Sequence, residues 1–190
     1  MSLNLTSQDE TESGYGTDPA KLEQLLRFRK EQESIPLALL GGTVAAFVAA
    51  LLWGTITYAT GYQIGFMAIG VGFLVGYAVN YLGKGMSQTF NIIGAVFALL
   101  GCILGNLFAA MISAALVEGI PVLGILVALA ADPKIVIEIL VATFSPMDLL
   151  FYAIAIYEGY KLSAQGLTDE ELESIQKTPP PVAQSEPAQP

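Results

Sequence analysis

Histidine is absent from this chain and cysteine occurs once, at position 102. Imidazole and thiolate metal sites, His-based catalytic triads and an intrachain disulfide are therefore all excluded. No Ser-Lys dyad, intramembrane G-x-S nucleophile, paired carboxylates or phosphate loop is evident either, so we expect no enzyme, no catalytic residue, no cofactor and no metal. Charge is scarce as well: residues 34–117 contain a single charged side chain, Lys84. A soluble domain needs a solvated surface, and these 84 residues cannot provide one.

What is present is long apolar sequence, and it implies an integral membrane protein. Residues 34–83 carry no charge; as one helix they would measure about 75 Å, against a hydrocarbon core of about 30 Å. The stretch must fold back, and the glycine and polar residues of Thr60-Gly61-Tyr62-Gln63 mark the turn. Unbroken apolar runs argue against a transmembrane barrel, whose strands alternate apolar and polar residues.

The expected fold is all-α, with four transmembrane helices over about 36–60, 63–82, 88–118 and 146–163. Pro36 opens the first, and Trp53, Tyr58 and Tyr62 lie toward its far interface. Tyr77, Tyr81 and Lys84 mark the end of the second. Gly83-Lys84-Gly85 forms a tight turn, and Ser87 is the expected N-cap of the third, which runs to Glu118-Gly119 ahead of Pro121. Ser145-Pro146-Met147-Asp148 is a helix start, with a cap, a proline at N1 and an acid at N3. Gly166 is available to end that last span.

Residues 120–144 read as two short interfacial or re-entrant helices between the third and fourth spans. Asp132 caps the second of them and Pro133 occupies its N1. A full span there would set Asp132 and Lys134 near mid-membrane at about 2.5–3.5 kcal/mol each.

The ends are polar and acidic. Residues 1–33 hold seven carboxylates against four basic groups, and 164–190 hold five against one, out of a net charge of −9. Nucleic-acid binding therefore has no electrostatic basis. Residues 1–17 read as a disordered tail. Residues 18–33 read as a cytoplasmic amphipathic helix with Asp18 as cap, Pro19 at N1 and Leu22, Leu25, Leu26 and Arg29 on one face. Arg27, Arg29 and Lys30 are its candidates for contact with anionic lipid. Residues 34–164 form the transmembrane domain, and 165–190 hold a capped helix over 168–177 before a Pro/Gln-rich tail. About 33 polar residues precede the first span, which then acts as an uncleaved anchor.

Seven of the eight basic residues fall on one face of a four-span arrangement, with Lys134 alone on the other. By the positive-inside rule both termini are cytoplasmic.

Small residues form stripes on the second and third spans: Gly65, Ala68, Gly72, Gly76, and Gly94, Ala98, Gly101, Gly105, Ala109. Glycines four apart let helix backbones touch, so these stripes are expected to face each other or a second copy. Asn80, Asn91 and Asn106 are polar groups at or near membrane depth, suited either to interhelical hydrogen bonds or to a transport lining. Glu138 and Glu158 are the carboxylates to test for transport.

The runs TGYQIGFMAIGVGFLVG (60–76), GKG (83–85) and IIGAVFALLGCILGN (92–106) resemble a group of small bacterial multi-span inner-membrane proteins of unknown function. The resemblance covers about 45 residues and implies a bacterial inner-membrane location and a recurring two-helix unit. It carries no activity, ligand or site residue. Two functions stand: a structural or scaffolding membrane subunit that packs through small-residue helices, or a small oligomeric channel or transporter for an ion or solute. The expected partners are membrane lipid, another membrane protein or a second copy, and a cytoplasmic protein held through residues 18–33 and 168–177.

Overall fold

The computed structural model describes residues 17–60 and 66–176. Both terminal segments, residues 61–63 of the turn expected from sequence, and Gly65 lie outside them. The described residues form eight helices: α1 (Pro19–Gln32), α2 (Ile35–Thr60), α3 (Phe66–Gly83), α4 (Gln88–Glu118), α5 (Val122–Ala131), α6 (Lys134–Thr143), α7 (Pro146–Ser163) and α8 (Asp169–Ser174). The chain divides into two units, a bundle over Gln32–Gln165 and a terminal unit built from both flanks.

Three helices, α2, α3 and α4, are long and apolar enough to cross a membrane. With α7 they make a bundle in which α2 and α4 run one way and α3 and α7 the other. Gly41 of α2 meets Ala78 of α3, and Gly42 meets Phe97 of α4. Further along, Gly54 meets Phe108 and Ala109. The bundle interior is filled by small and branched residues, Ala46, Ala49, Val71, Val75, Ala98, Cys102 and Ala155, all buried. With so little side-chain volume between them the backbones approach closely, which in lipid is the main source of helix association.

Of the two arrangements expected for the glycine stripes, facing each other or a second copy, the first does not occur. On α3, a Cβ at Gly72 would lie 2.7 Å from the Ala155 carbonyl oxygen and one at Gly76 would lie 2.8 Å from Leu162, both on α7. On α4, Gly94 lies against Gly159 and Ser163 of α7. Gly101 lies against Val71 of α3 and Ala46 of α2, and Gly105 against Trp53 of α2. Each helix thus spends its smallest positions on whichever neighbour comes nearest at that height.

Trp53, expected toward the far interface, packs inside the bundle. It is 1% exposed, because Gly105 leaves a hollow in α4 that receives the indole, with ring atoms 3.0–3.1 Å from where a Cβ would stand. The indole Nε1 is buried there with no hydrogen-bond partner among the described residues, where a buried Trp N–H usually has one.

The helix ends follow local chemistry. At Ser145 the side chain accepts from Met147 N–H while the Asp148 carboxylate accepts from Ser145 N–H, closing a capping box over Pro146 at N1. α4 ends at Gly119 in the left-handed region (φ 65°). Ser87 takes the N-cap position, but its side chain makes no cap bond. At the start of α6, Asp132 Oδ1 accepts Lys134 N–H at 3.0 Å and Pro133 stands at the cap, one position earlier than expected. α7 stops at Ser163, three residues short of Gly166. α8, expected over 168–177, is a six-residue helix.

Lys84 closes the α3–α4 turn with φ 51°. A left-handed residue with a Cβ costs roughly 1–2 kcal/mol, and glycine in its place loses roughly 0.5–1 kcal/mol more chain entropy on folding. Lys84→Gly should therefore raise stability by about 0.5–1 kcal/mol, read as a higher midpoint of thermal unfolding in detergent. An unchanged or lower midpoint would mean that the lysine side chain contributes a contact that offsets the strain.

Candidate functional site

Polar side chains in the bundle gather at its two ends. At one end the start of α2, the α3–α4 turn and the end of α7 are tied by bonds that use nearly every polar group present. Ser34 N–H donates to Gly83 O at 2.9 Å, and Glu33 Oε1 accepts from Met86 N–H at 2.9 Å. Asn80 Nδ2 donates to the Leu162 and Ala164 carbonyls at 3.0 and 3.1 Å, which are unpaired carbonyls at the end of α7. Gln165 Nε2 reaches Asn80 O and Oδ1, each at 3.2 Å, and Gln165 N–H donates to Gly85 O at 2.8 Å. Asn80 is thus a clamp between α3 and α7. Asn91 lies one turn into α4, half-buried, with a buried Oδ1 that accepts no hydrogen bond.

At the other end Asn106 is 5% exposed and donates through Nδ2 to the Tyr152 hydroxyl, joining α4 to α7. Asp148, one turn earlier on α7, is 3% exposed and is held by its capping role. Between Asn91 and Asn106 lie about 22 Å of α4, and the space beside it is occupied by Val71, Val75, Ala98, Cys102 and Ala155. The two polar ends are separated by a dry, packed layer.

The remaining candidates are not brought together. Glu138 is exposed on α6, and Glu158 is half-buried on α7 against Gly72. α5 and α6 bury no residue, and large side chains on them stand open, with Leu123 and Val141 each 71% exposed. An apolar groove of about 410 Å³ runs between α2 and α3, lined by Leu52, Trp53, Ile56, Met67 and Leu74 among others. Among the described residues no group of three metal-binding side chains occurs.

In the terminal unit, Arg29 grips Glu171 with a two-bonded fork: Nε to Oε1 and Nη2 to Oε2, both 2.7 Å. Arg27 pairs with Glu23 on its own helix. Two of the three basic groups expected to meet anionic lipid are thus engaged by carboxylates. Asp18 N–H donates to Ile175 O at 2.7 Å, and Thr17 and Gln176 form an isolated antiparallel bridge. These long-range partners were not read from sequence, where 142 positions separate Arg29 from Glu171.

Hydrogen bonds from Arg29 and then Thr168 hold the Glu171 carboxyl down to about 2 from its ordinary 4.5. With the folded value below the unfolded one, the contact contributes fully above about pH 4.5 and is lost as pH falls through about 2. A side-chain NMR titration of the full chain in detergent should give Glu171 a midpoint near 2. An ordinary midpoint near 4.5 would show that the fork does not form.

Compared with protein-family models, with curated proteins and with solved structures, the chain finds no match.

Proposed function

We propose that this chain is a structural or scaffolding membrane subunit that crosses the bilayer four times and offers its terminal unit to partners. The observation that carries this reading is the solid bundle interior. The half-buried amide of Asn80 and the buried amide of Asn106 are engaged in joining helices, and the core between them is built from apolar side chains. A conduit needs a polar or wet path, whereas a packing element needs a dry one.

Four crossings are supported by the terminal unit. The segments that precede and follow the bundle in sequence share backbone bonds and an ion pair, which supports one compartment for both and an even number of crossings between them. With α2, α3 and α4 as three, α7 is the fourth. Its 18 residues measure about 27 Å, close to the roughly 30 Å core. α6 is bent 104° away from α7 and does not extend that crossing. At ten residues each, α5 and α6 are too short to span and serve as interfacial or re-entrant helices. The lysines and arginines of the terminal segments support a cytoplasmic place for them. The resemblance of residues 60–76, 83–85 and 92–106 favours a bacterial inner membrane.

The test is gentle extraction of the tagged protein from its own membranes, followed by native mass and identification of what stays bound. A stoichiometric different protein, lost when residues 166–176 are deleted, supports the scaffold. A pure homo-oligomer that conducts ions or solutes in liposomes overturns it. The channel reading has one observation in its favour: Glu158, half-buried in α7, has no hydrogen bond or ion pair with any described residue. Flux abolished by Glu158→Gln would establish that reading in place of the first.

A further inference from the structure

α8 is six residues long, and a helix of that length does not hold itself in water. Its stability must come from its two ends. At its N-terminus, Thr168 Oγ1 accepts from Glu171 N–H at 3.3 Å, and Glu171 Oε2 accepts from Thr168 N–H at 2.9 Å, a reciprocal cap. At its C-terminus, the carbonyls of Ser174 and Ile175 accept from Lys21 Nζ at 3.3 Å and Asp18 N–H at 2.7 Å, both at the start of α1. The same Glu171 Oε2 that caps α8 also accepts from Arg29 Nη2, near the end of α1. One carboxylate therefore serves the fold of α8 and its attachment to α1, and it does so well shielded, with Arg29 and Glu171 side chains 14% and 20% exposed.

We propose that Glu171 is the shared element of a clasp that closes the two ends of the chain together. Uncapping α8 frees the carboxylate from the geometry in which Arg29 can grip it, and losing Arg29 removes the charge that holds the carboxylate over the cap. The clasp consequently opens as one step. The N-terminal and C-terminal segments are released at once, and a factor that acts on either end is felt at the other. An ordinary exposed ion pair would be worth little and would not couple the two.

The test uses the full chain with cysteines at Thr17→Cys and Gln176→Cys. Paired antiparallel residues have Cα atoms about 4.5–5.5 Å apart, within disulfide range. Cys102 is fully buried and does not compete. Mild oxidation in native membranes should join the new pair rapidly. Glu171→Gln and Arg29→Gln should slow this roughly tenfold. Thr168→Val, which changes only the cap, should slow it several-fold. The charge-swapped pair Arg29→Glu with Glu171→Arg restores the ion pair but not the cap, and should remain slow. All these changes lie outside the bundle, so circular dichroism should show its helicity unaltered. Full recovery in the charge swap, or a parental rate in Thr168→Val, would reduce the contact to an ordinary ion pair and overturn the clasp. Failure of the parent cysteine pair to join would overturn the closed terminal unit itself.

Discussion

Replacing Gly94 by leucine should pull α4 away from α7 and cost about 3 kcal/mol, the top of the usual range for overpacking. The magnitude follows from what the new side chain meets. A Cβ at Gly94 would overlap the Ser163 hydroxyl and the Gly159 carbonyl oxygen and come within 2.7 Å of Ser163 Cβ. Ser163 cannot swing aside cheaply, because its hydroxyl is bonded to Gly159 O at 2.6 Å. Nor can Gly159 retreat, since its own Cα face lies against Ala98 and Gly94. A flexible side chain would yield, but backbone does not. Gly70 is the internal control: it lies in the second turn of α3 with nothing within 4 Å of a Cβ. Gly70→Ala should raise stability by about 0.5–1 kcal/mol. Unfolding in SDS or by heat reads both variants. Equal behaviour of the two would mean that α4 and α7 are not in contact at this height.

The contrast between Gly94 and Gly70 also separates what sequence can report from what it cannot. Local signals were legible. The apolar runs, the Ser145-Pro146-Met147-Asp148 start and the Gly119 stop each act within a few residues, and each appears where that chemistry requires it. Spacing likewise marks Gly72 and Gly76 as one small face of α3. It is silent on which helix will use that face, and α7, with Asp148, Glu158 and Lys161, is the least apolar of the four bundle helices. The packing of Trp53 was illegible for a related reason. Its distance along α2 suggests an interface, while its seat is created by Gly105, 52 positions later. Arg29 and Glu171 are further apart still, and no periodicity links a basic residue before α2 to a capping acid after α7. Of the polar candidates, Asn80 and Asn106 could be flagged as groups that must find partners. Their partners, the Leu162 and Ala164 carbonyls and the Tyr152 hydroxyl, depend on the packing of α7 and became evident only with the fold.

The bond between Asn106 and Tyr152 offers the sharpest separation of a packing role from a conducting one. Interhelical hydrogen bonds in membranes average about 0.6 kcal/mol and reach about 1.7. Removing one partner costs more than the bond alone, because the other is left buried without it, about 1–3 kcal/mol. Tyr152→Phe and Asn106→Leu should each destabilise by that amount. The double variant, which replaces both groups by apolar ones, should lose clearly less than the sum, with a coupling of about 1 kcal/mol. If the pair serves packing, the double variant should also assemble normally and leave any liposome flux at the parental level. A conducting role differs in the flux alone: flux stays abolished in the double variant although stability is partly recovered, because the path would then lack the amide and the hydroxyl it used. Additive losses of stability would indicate that the two groups do not meet, and the far end of the bundle would need a different account of its only fully buried amide among the described residues.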